Sequence, residues 1–305
     1  MDKPVLNIGA SVRARLKNMA KSSNTSVDLL LRRFVLERLL YRLSLSPYRD
    51  RFVLKGAMLV TTWFANPHRQ THDVDLLGFG SPDSTTILSV FREIMAMPAN
   101  DGMAFDIAAL RAEPIREEGE YGGLRLVTKA MLDGALPTVK IDIGFGDATE
   151  PGIDEIDLPT LLDLPSPRLR AYARETVIAE KFHVIVYRGR ANSRLKDYYD
   201  IWLLSRMYQF SGNRLARAIL ATFERRKTAL PVLLPDGLSA EFASDPVTLR
   251  QWAVFAADIA IEPNSFADVV NDLASFLMPH LAETRRLRSR YNASGSGSTE
   301  SGSNG

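Results

Sequence analysis

The chain has 305 residues, 46% of them hydrophobic, so it can bury a substantial core and is not an intrinsically disordered protein. It contains no cysteine, which excludes disulfide scaffolds and thiolate zinc sites. The net charge of +2 conceals twelve Lys or Arg against four Asp or Glu in residues 1–55, a surplus that predicts either a polyanionic partner or solvated helix faces.

The first part of the chain alternates helix and strand signals. Apolar residues recur at helical spacing near the N-terminus, and two short apolar runs are each closed by glycine. The predicted elements are helices over residues 10–21, 26–45 and 85–98 and strands over residues 52–54 and 73–77.

Residues 104–146 change to the period of two that is typical of strands. A proline-rich stretch over residues 159–167 marks a boundary, and the remainder has helical patterns. The sequence thus predicts an α+β fold whose centre is framed by helices at both ends. We divide it into a first part (1–160), a helical part (161–291) and a disordered, low-complexity tail (292–305).

Two aspartates separated by one residue, Asp73 and Asp75, begin the second predicted strand. Side chains two apart on a strand point to the same side, so both carboxylates leave one face. Such neighbours repel each other unless a cation lies between them, and Mg²⁺ shares oxygen ligands with substrate phosphates. The pair predicts a Mg²⁺ (or Mn²⁺) site. The alternative is a capped or solvated strand end.

Asp142 is the acidic residue of a predicted strand over residues 139–145, which otherwise suits the interior of a sheet. A carboxylate there needs a partner, and Gly144 on the same face leaves room for a ligand. Beside the first pair it completes a three-carboxylate cluster for two metal ions, which can clamp the oxygens of a phosphoryl displacement. Asp147, just past the strand, is the alternative third carboxylate.

A phosphate-binding turn is predicted at Lys55 and Gly56. A strand that passes through glycine into a helix presents backbone N–H groups and a positive dipole end to an anion. Ordinary turn chemistry is the alternative. Arg69 and Thr71 precede the metal pair and either contact phosphate or cap the strand.

Lys181 lies in the apolar stripe of the helix predicted between Arg174 and Arg188, one heptad from each. A buried ammonium group needs a buried acid or an anionic ligand, unless its long stem carries it past the edge of the core. Asp197 and Asp200 follow on the next helix, with Asp197 on the inward face. We expect Asp197 to pair with Lys181. The alternative is that it orients this lysine toward a triphosphate or acts as a base.

Four blocks of sequence, in order between residues 7 and 204, are FVLKGAMLVTTWF, HRQTHDVDLLGFG, VKIDIGFGD and ETVIAEKFHVIVYRGRANSRLKDYYDIWLL. Together they resemble the AbiEii/AbiGii (MenT-like) toxin family, a branch of the DNA polymerase β-like nucleotidyltransferases. The resemblance implies a small mixed β-sheet nucleotidyltransferase core flanked by helices and followed by a helical C-terminal lobe.

The resemblance further implies a metal-dependent toxin of a type IV toxin–antitoxin or abortive-infection system, opposed by a separately encoded antitoxin. Such a toxin transfers NMP from an NTP to an RNA 3′ end, here expected to be the tRNA acceptor stem, and releases pyrophosphate. By position, the family's motifs match Gly56 (nucleotide glycine), Asp73 and Asp75 (metal pair), Lys181 (third-motif lysine), and Asp197 and Asp200 (KDxxD). The chain has Ala57 where the superfamily has serine, so one hydroxyl is missing from the phosphate turn.

The resulting hypothesis places the triphosphate near Gly56, Lys181 and the arginines of that helix, and lets Asp142 help to activate the RNA hydroxyl. Basic helices with Arg32, Arg33 and the arginines of residues 285–290 would hold the RNA. Alternatives are nucleotidylation of a protein hydroxyl and a non-catalytic nucleotide- or RNA-binding protein. Because no signal-peptide core and no apolar run of about 20 residues is present, we expect a cytoplasmic protein without a membrane span.

Overall fold

The computed structural model describes residues 7–64, 71, 73–115, 122–257 and 259–296. The helices within these ranges are α1 (Ile8–Ser22), α2 (Val27–Leu45), α3 (Gly56–Thr61), α4 (Ser84–Ala96), α5 (Arg174–Arg188), α6 (Leu195–Met207), α7 (Gly212–Arg225), α8 (Ala240–Ala243), α9 (Pro246–Ala256) and α10 (Phe266–Ser296). The strands are β1 (Phe52–Lys55), β2 (Val74–Gly78), β3 (Met103–Phe105), β4 (Arg111–Ile115), β5 (Gly123–Leu132), β6 (Thr138–Phe145), β7 (Ile153–Asp157) and β8 (Arg168–Tyr172).

Side-chain caps set the beginnings of two early helices. The Asn7 side chain accepts a hydrogen bond from the Ala10 N–H at 2.9 Å, and Asp83 accepts one from the Thr86 N–H at 2.7 Å. Each cap satisfies an amide that the first helical turn leaves without a partner. The helices predicted over 10–21, 26–45 and 85–98 are all present, within a few residues of their expected ends.

The strands of the described residues form one mixed sheet in the order β3-β5-β6-β2-β1-β8-β7, with β4 also paired to β5. The β2–β6 and β1–β8 pairs are parallel, and the other pairs are antiparallel. Helix α2 packs against β6, β8 and α4. The α+β fold with a mixed sheet and a helical C-terminal region is confirmed.

The sheet extends further along the chain than the sequence indicated. Strand β8 follows the proline-rich stretch, where only helices were expected, because Leu169, Ala171 and Tyr172 are buried and the strand pairs with both β7 and β1. Contacts divide the chain into a first unit, which ends at Gly146 but also includes Ile153–Tyr172, and a second unit of Asp147–Gly152 and the chain from Ala173 onward. The boundary proposed at residue 160 thus lies between two strands of one sheet.

Within the second unit, α7 packs against both α5 and α10, and α6 packs against α5 and α10. The expected tail began at residue 292, whereas α10 continues to Ser296, and residues 297–305 lie outside the described ranges. None of the helices in the described part of the chain is both long enough and apolar enough to cross a bilayer.

A buried ion network ties α2 to the loop before β3. Asp101 receives hydrogen bonds from Arg42 (Nη1–Oδ2, 2.6 Å) and from Arg38 (Nε–Oδ2, 3.2 Å), and all three residues are at most 3% exposed. Arg38 also donates to the Pro165 carbonyl at 2.8 Å. Part of the basic surplus of residues 1–55 is therefore internal, because these two arginines neutralise a core carboxylate and cannot reach a polyanion.

Candidate active site

Charged residues stand side by side on consecutive strands at one level of the sheet. Lys55 on β1 is the register partner of Asp75 on β2, Asp75 is the partner of Asp142 on β6, and Asp142 is the partner of Arg125 on β5. Glu113 on β4 follows Arg125. We call these five residues the charged row. Its signs run plus, minus, minus, plus, minus, so the like charges of Asp75 and Asp142 meet at its centre.

The alternation of each strand keeps the charged row on one face. Register partners on neighbouring strands point to the same side, and the residues before and after them point to the other. On that other side Leu54, Leu76, Ile141 and Ile143 are at most 1% exposed. The hydrophobic face therefore fixes the register, and a shift by one residue would bury the charges.

Gly56 lies directly against the Asp75 carboxylate of this row. Its φ is +69°, and a Cβ atom built on it would lie 1.9 Å from Oδ2 of Asp75. Only glycine fits, because any side chain would occupy the volume of the Asp75 carboxylate. Helix α3, which begins here, has six residues and offers a smaller dipole than the phosphate-turn hypothesis assumed.

Arg125 binds Asp142 through two parallel hydrogen bonds. The Nε–Oδ1 distance is 2.7 Å and the Nη2–Oδ2 distance is 2.6 Å. Hydrogen bonding to Asp142 raises the pKa of Arg125, and the charge of Asp73 adds to this effect. The Arg125 side chain is 39% exposed and that of Asp142 is 20% exposed, so the pair lies at the solvent boundary of the sheet.

The three carboxylates do not form the expected two-metal cluster. Among the residues that the structure describes, no group of three or more His, Cys, Asp or Glu side chains is placed to hold a metal ion. Both oxygens of Asp142 bind a guanidinium group, which supplies the positive charge that the sequence assigned to metal. Asp73 precedes β2, and its carbonyl accepts a hydrogen bond from the Thr71 hydroxyl at 3.3 Å.

The second unit contains a separate buried charge cluster. Nζ of Lys181 lies 2.5 Å from Oδ1 of Asp197 and 3.0 Å from Oδ2 of Asp200, and Nε of Arg194 lies 2.6 Å from Oδ2 of Asp197. Both aspartates are 0% exposed. Burial alone would raise the pKa of Asp197, but Lys181 and Arg194 outweigh burial and hold the pKa below its usual range. The expected pairing of Lys181 with Asp197 is present.

The remaining candidates have individual environments. Nζ of Lys55 lies 5.5 Å from the centre of the Tyr172 ring, and the Arg174 guanidinium stacks 3.9 Å above the Tyr208 ring. Asp147, the alternative third carboxylate, belongs to the second unit and lies 3.4 Å from Arg226. Arg188 ends α5. Arg69 lies outside the described residues.

The arginines expected to contact RNA differ in their environments. Arg33 pairs with buried Glu37 at 2.9 Å, so its guanidinium lies at the boundary of the core. Arg32 pairs with exposed Asp28 at 2.8 Å and lies at the surface. Three of the α10 arginines, Arg285, Arg286 and Arg290, line an open concavity. Its lining residues are Ala282, Arg285, Arg286, Ser289 and Arg290.

Arg125 and its register partner Glu113 are residues of the charged row that the sequence did not predict. Arg125 lies between Leu124 and Leu126, and this alternation of apolar and polar residues predicts a place on the polar face of a strand. What could not be read was the strand next to it, because pairing of β5 with β6 is a tertiary feature.

Solved structures similar to this chain include two from Helicobacter pylori, a candidate nucleotidyltransferase and JHP933. Each has 15% sequence identity and a TM-score of 0.49, and 98% of each is covered, against 86% and 88% of this chain. No curated protein gives a significant match. The model of the family described as nucleotidyl transferase AbiEii toxin of type IV toxin–antitoxin systems matches residues 38–272. The chain therefore belongs to the AbiEii nucleotidyltransferase toxin family.

Proposed function

We propose that this AbiEii nucleotidyltransferase transfers a nucleoside monophosphate from an NTP to the 3′ end of an RNA. The proposed substrate is tRNA, which would receive the nucleotide at its acceptor stem. The central pair of like charges in the charged row supports this most directly. Asp75 and Asp142 are register partners on parallel strands, and Asp73 adds a third negative charge nearby. Proteins keep carboxylates together at one end of a sheet where a cation or a phosphate-bound cation completes the site.

The donor set fits a divalent cation that arrives with nucleotide. Mg²⁺ characteristically uses one or two carboxylates and completes its shell with water and substrate phosphates. Asp73 and Asp75 supply two carboxylates, so a preformed group of three is not needed. When bound, the cation would neutralise charge on the phosphates of the reacting NTP.

The chain's own residues would divide the remaining work. Gly56 has no side chain and so makes room for the Asp75 carboxylate, and Lys55 places a positive charge next to Asp75 for the triphosphate. Asp142 would accept the hydrogen bond of the RNA 3′ hydroxyl and take its proton. The hydroxyl oxygen forms a bond to the α-phosphorus, the bond from this phosphorus to the bridging oxygen breaks, and pyrophosphate leaves with the electron pair.

Lys181 is proposed to serve the nucleotide while it neutralises Asp197 and Asp200. Its ion pairs with Asp197 and Asp200 fix the position of the amine, which favours a defined interaction with an anion. The proposal also includes a separately encoded antitoxin, which the family's type IV toxin–antitoxin character supports, and a cytoplasmic site of action.

The test is a transfer assay with the purified chain, each of the four α-³²P-labelled NTPs, Mg²⁺ and total tRNA. We expect label in the RNA fraction and 3′ ends lengthened by one or more nucleotides, with neither product from Asp75→Asn. Asp154→Asn is the matched control, because it makes the same charge change on the exposed strand β7 of the same sheet.

Other outcomes of this assay would distinguish the two alternative functions. Label in the protein fraction alone would replace the RNA acceptor by a protein hydroxyl. No transfer, together with equal NTP binding by wild type and Asp73→Asn/Asp75→Asn, would identify a non-catalytic binding protein. If RNA is the acceptor, its binding should weaken steeply with added salt, because arginine contacts to phosphates release counterions.

A further inference from the structure

We propose that one flank of α1, formed by Arg13, Lys17 and Lys21, is a docking surface for the phosphate backbone of the RNA acceptor. We call these three residues the basic flank. The inference rests on the proposed function, because it takes RNA as the acceptor, and it assigns the contact to a helix outside the matched residues 38–272. It concerns binding of RNA to the protein, so it can be tested without nucleotide transfer.

The spacing of the three cations places them in one line along the helix. They recur every four residues, and residues four apart on an α-helix lie on the same side, about 6 Å apart along the axis. Lys17 and Lys21 are exposed, and the Arg13 side chain is 36% exposed. Three apolar residues of the same helix are at most 3% exposed: Val12, Leu16 and Ala20. The core therefore fixes the rotation of α1 and keeps the basic flank at the surface.

The charge of the basic flank is not balanced by its own helix. Helix α1 contains four Lys or Arg and no Asp or Glu. Lys17 and Lys21 make no ion pair with any residue that the structure describes, and Arg13 pairs with Asp133 at the surface. Like charges four residues apart on a helix repel each other. A chain of phosphates along the flank would replace this repulsion by attraction.

Much of the remaining basic surplus of residues 1–55 is neutralised by carboxylates. Within the described part of this segment, five other cations have such partners: Arg32 with Asp28, Arg33 with Glu37, Arg38 and Arg42 with Asp101, and Arg49 with Glu155. A cation that already has a carboxylate partner must give up that contact to bind a phosphate. Lys17 and Lys21 have no such cost, so they are better placed for a polyanion than the arginines of α2.

One end of the basic flank is attached to the strand pair of the candidate active site. Arg13 donates a hydrogen bond to the Asp133 carbonyl, and its Nη1 lies 3.6 Å from Oδ2 of the same residue. Asp133 directly follows β5 in the connection to β6, and these two strands carry Arg125 and Asp142. Helix α1 and the charged row also belong to the same compact unit. RNA bound along α1 would thus be held by the unit that carries the proposed catalytic carboxylates.

The chemistry of this helix favours RNA over a membrane or an acidic protein. A helix that binds a membrane surface inserts its apolar side into lipid, whereas the apolar side of α1 is buried in the protein. The core of a protein–protein interface is typically rich in aromatic residues and poor in lysine, and α1 has no aromatic residue. Contacts to phosphate need only exposed cations, and they position a nucleic acid without reading its sequence.

The experiment is binding of total tRNA to the full chain without NTP, measured by filter binding over a series of KCl concentrations. Lys17→Gln/Lys21→Gln should bind about tenfold more weakly than wild type at about 50 mM KCl. Its plot of log affinity against log salt should be shallower by about 2, because two phosphate contacts are lost. Lys17→Arg/Lys21→Arg keeps both charges and should bind as wild type does. Arg92→Gln/Arg250→Gln is the matched control, since it removes two charges from exposed positions of α4 and α9.

The inference would be overturned if folded Lys17→Gln/Lys21→Gln bound tRNA as wild type does, or lost no more affinity than the control. Both lysine side chains are exposed, so circular dichroism should show an intact fold in the variant. A parallel measurement uses vesicles of phosphatidylcholine and phosphatidylserine. Loss of vesicle binding with unchanged tRNA binding would make the flank a membrane contact and would also overturn the inference.

Transfer kinetics distinguish a failure of this inference from a failure of the proposed function. The basic flank takes no part in the chemical step, so Lys17→Gln/Lys21→Gln should raise KM for tRNA and leave kcat near the wild-type value. If the flank is required for tRNA binding but no nucleotide reaches tRNA, the docking surface stands and the proposed transfer to tRNA is wrong. If tRNA is extended and the flank is dispensable for binding, the proposed function stands and only the docking surface is lost.

Discussion

Replacement of Gly56 by alanine is the sharpest test of the site, because the added atom collides with one identified group. The new Cβ would lie 1.9 Å from Oδ2, 2.5 Å from Cγ and 2.7 Å from Cβ of Asp75. Ordinary contacts between such atoms are about 3.5 Å, so the carboxylate must retreat by roughly 1.5 Å. A displacement of about 1 Å at a reacting centre costs on the order of 10²-fold in rate. We expect Gly56→Ala to lose about this factor in single-turnover transfer.

Backbone strain must be separated from the collision, since alanine at a φ of +69° also costs about 1 kcal/mol of stability. Gly80 provides the comparison. Its φ is +96°, and a Cβ atom there would meet nothing within 4 Å. Gly80→Ala should therefore lower the free energy of urea unfolding by a similar amount and leave transfer within about twofold of wild type. Equal activity losses in the two variants, or full activity in folded Gly56→Ala, would refute the reasoning.

Further expectations concern charge. Asp75→Asn should reduce transfer by at least about 10²-fold, because it removes one of the two carboxylates proposed to hold the cation, and the transfer assay, with calorimetry to verify folding, would show this loss. Lys181→Met should cost about 3–5 kcal/mol in urea unfolding, and Lys181→Met/Asp197→Asn less than the sum of the single variants. Asp101→Asn should cost about 3 kcal/mol in the same measurement, since it leaves two buried arginines uncompensated. Burial is the main cause that lowers the pKa of His183 to about 4. The contribution of neutral His183 to the free energy of unfolding should therefore be complete above about pH 6.5 and be lost as the pH falls toward 4. His183→Gln should flatten this dependence in unfolding curves measured at pH 7 and 5.

The sequence was informative where local periodicity decided the structure. The stripe containing Lys181 predicted a buried amine, and the inward face of the next helix predicted its partner Asp197; both are found at an ion-pair distance of 2.5 Å. The strand that carries Asp75 was likewise predicted from a short apolar run, although it begins at Val74 and leaves Asp73 just before it. In each case one element and its hydrophobic face were sufficient, because burial of that face is the dominant force on it.

The sequence was uninformative where the structure depends on which elements become neighbours. Asp142 was expected beside metal, and Arg125 neutralises it instead, because β5 pairs with β6 on the side away from β2. Arg38 and Arg42 were counted as a basic surface, but Asp101 on a distant loop draws them into the interior. Strand pairing and buried ion pairs join residues far apart in the chain, and no window of neighbouring residues contains that information.

The pairing of β2 with β6 has a consequence for biosynthesis. Asp75 and Asp142 belong to adjacent strands, yet β3, β4 and β5 are made between them. A nascent chain that has exposed only β1 and β2 outside the ribosome contains Asp75 and Gly56 but has no second carboxylate strand. Contacts of such long sequence separation form late, because the intervening loop must close first. Chain fragments that terminate before β6 would therefore be inert, and a cell would meet an active toxin only after most of the sheet had been synthesised.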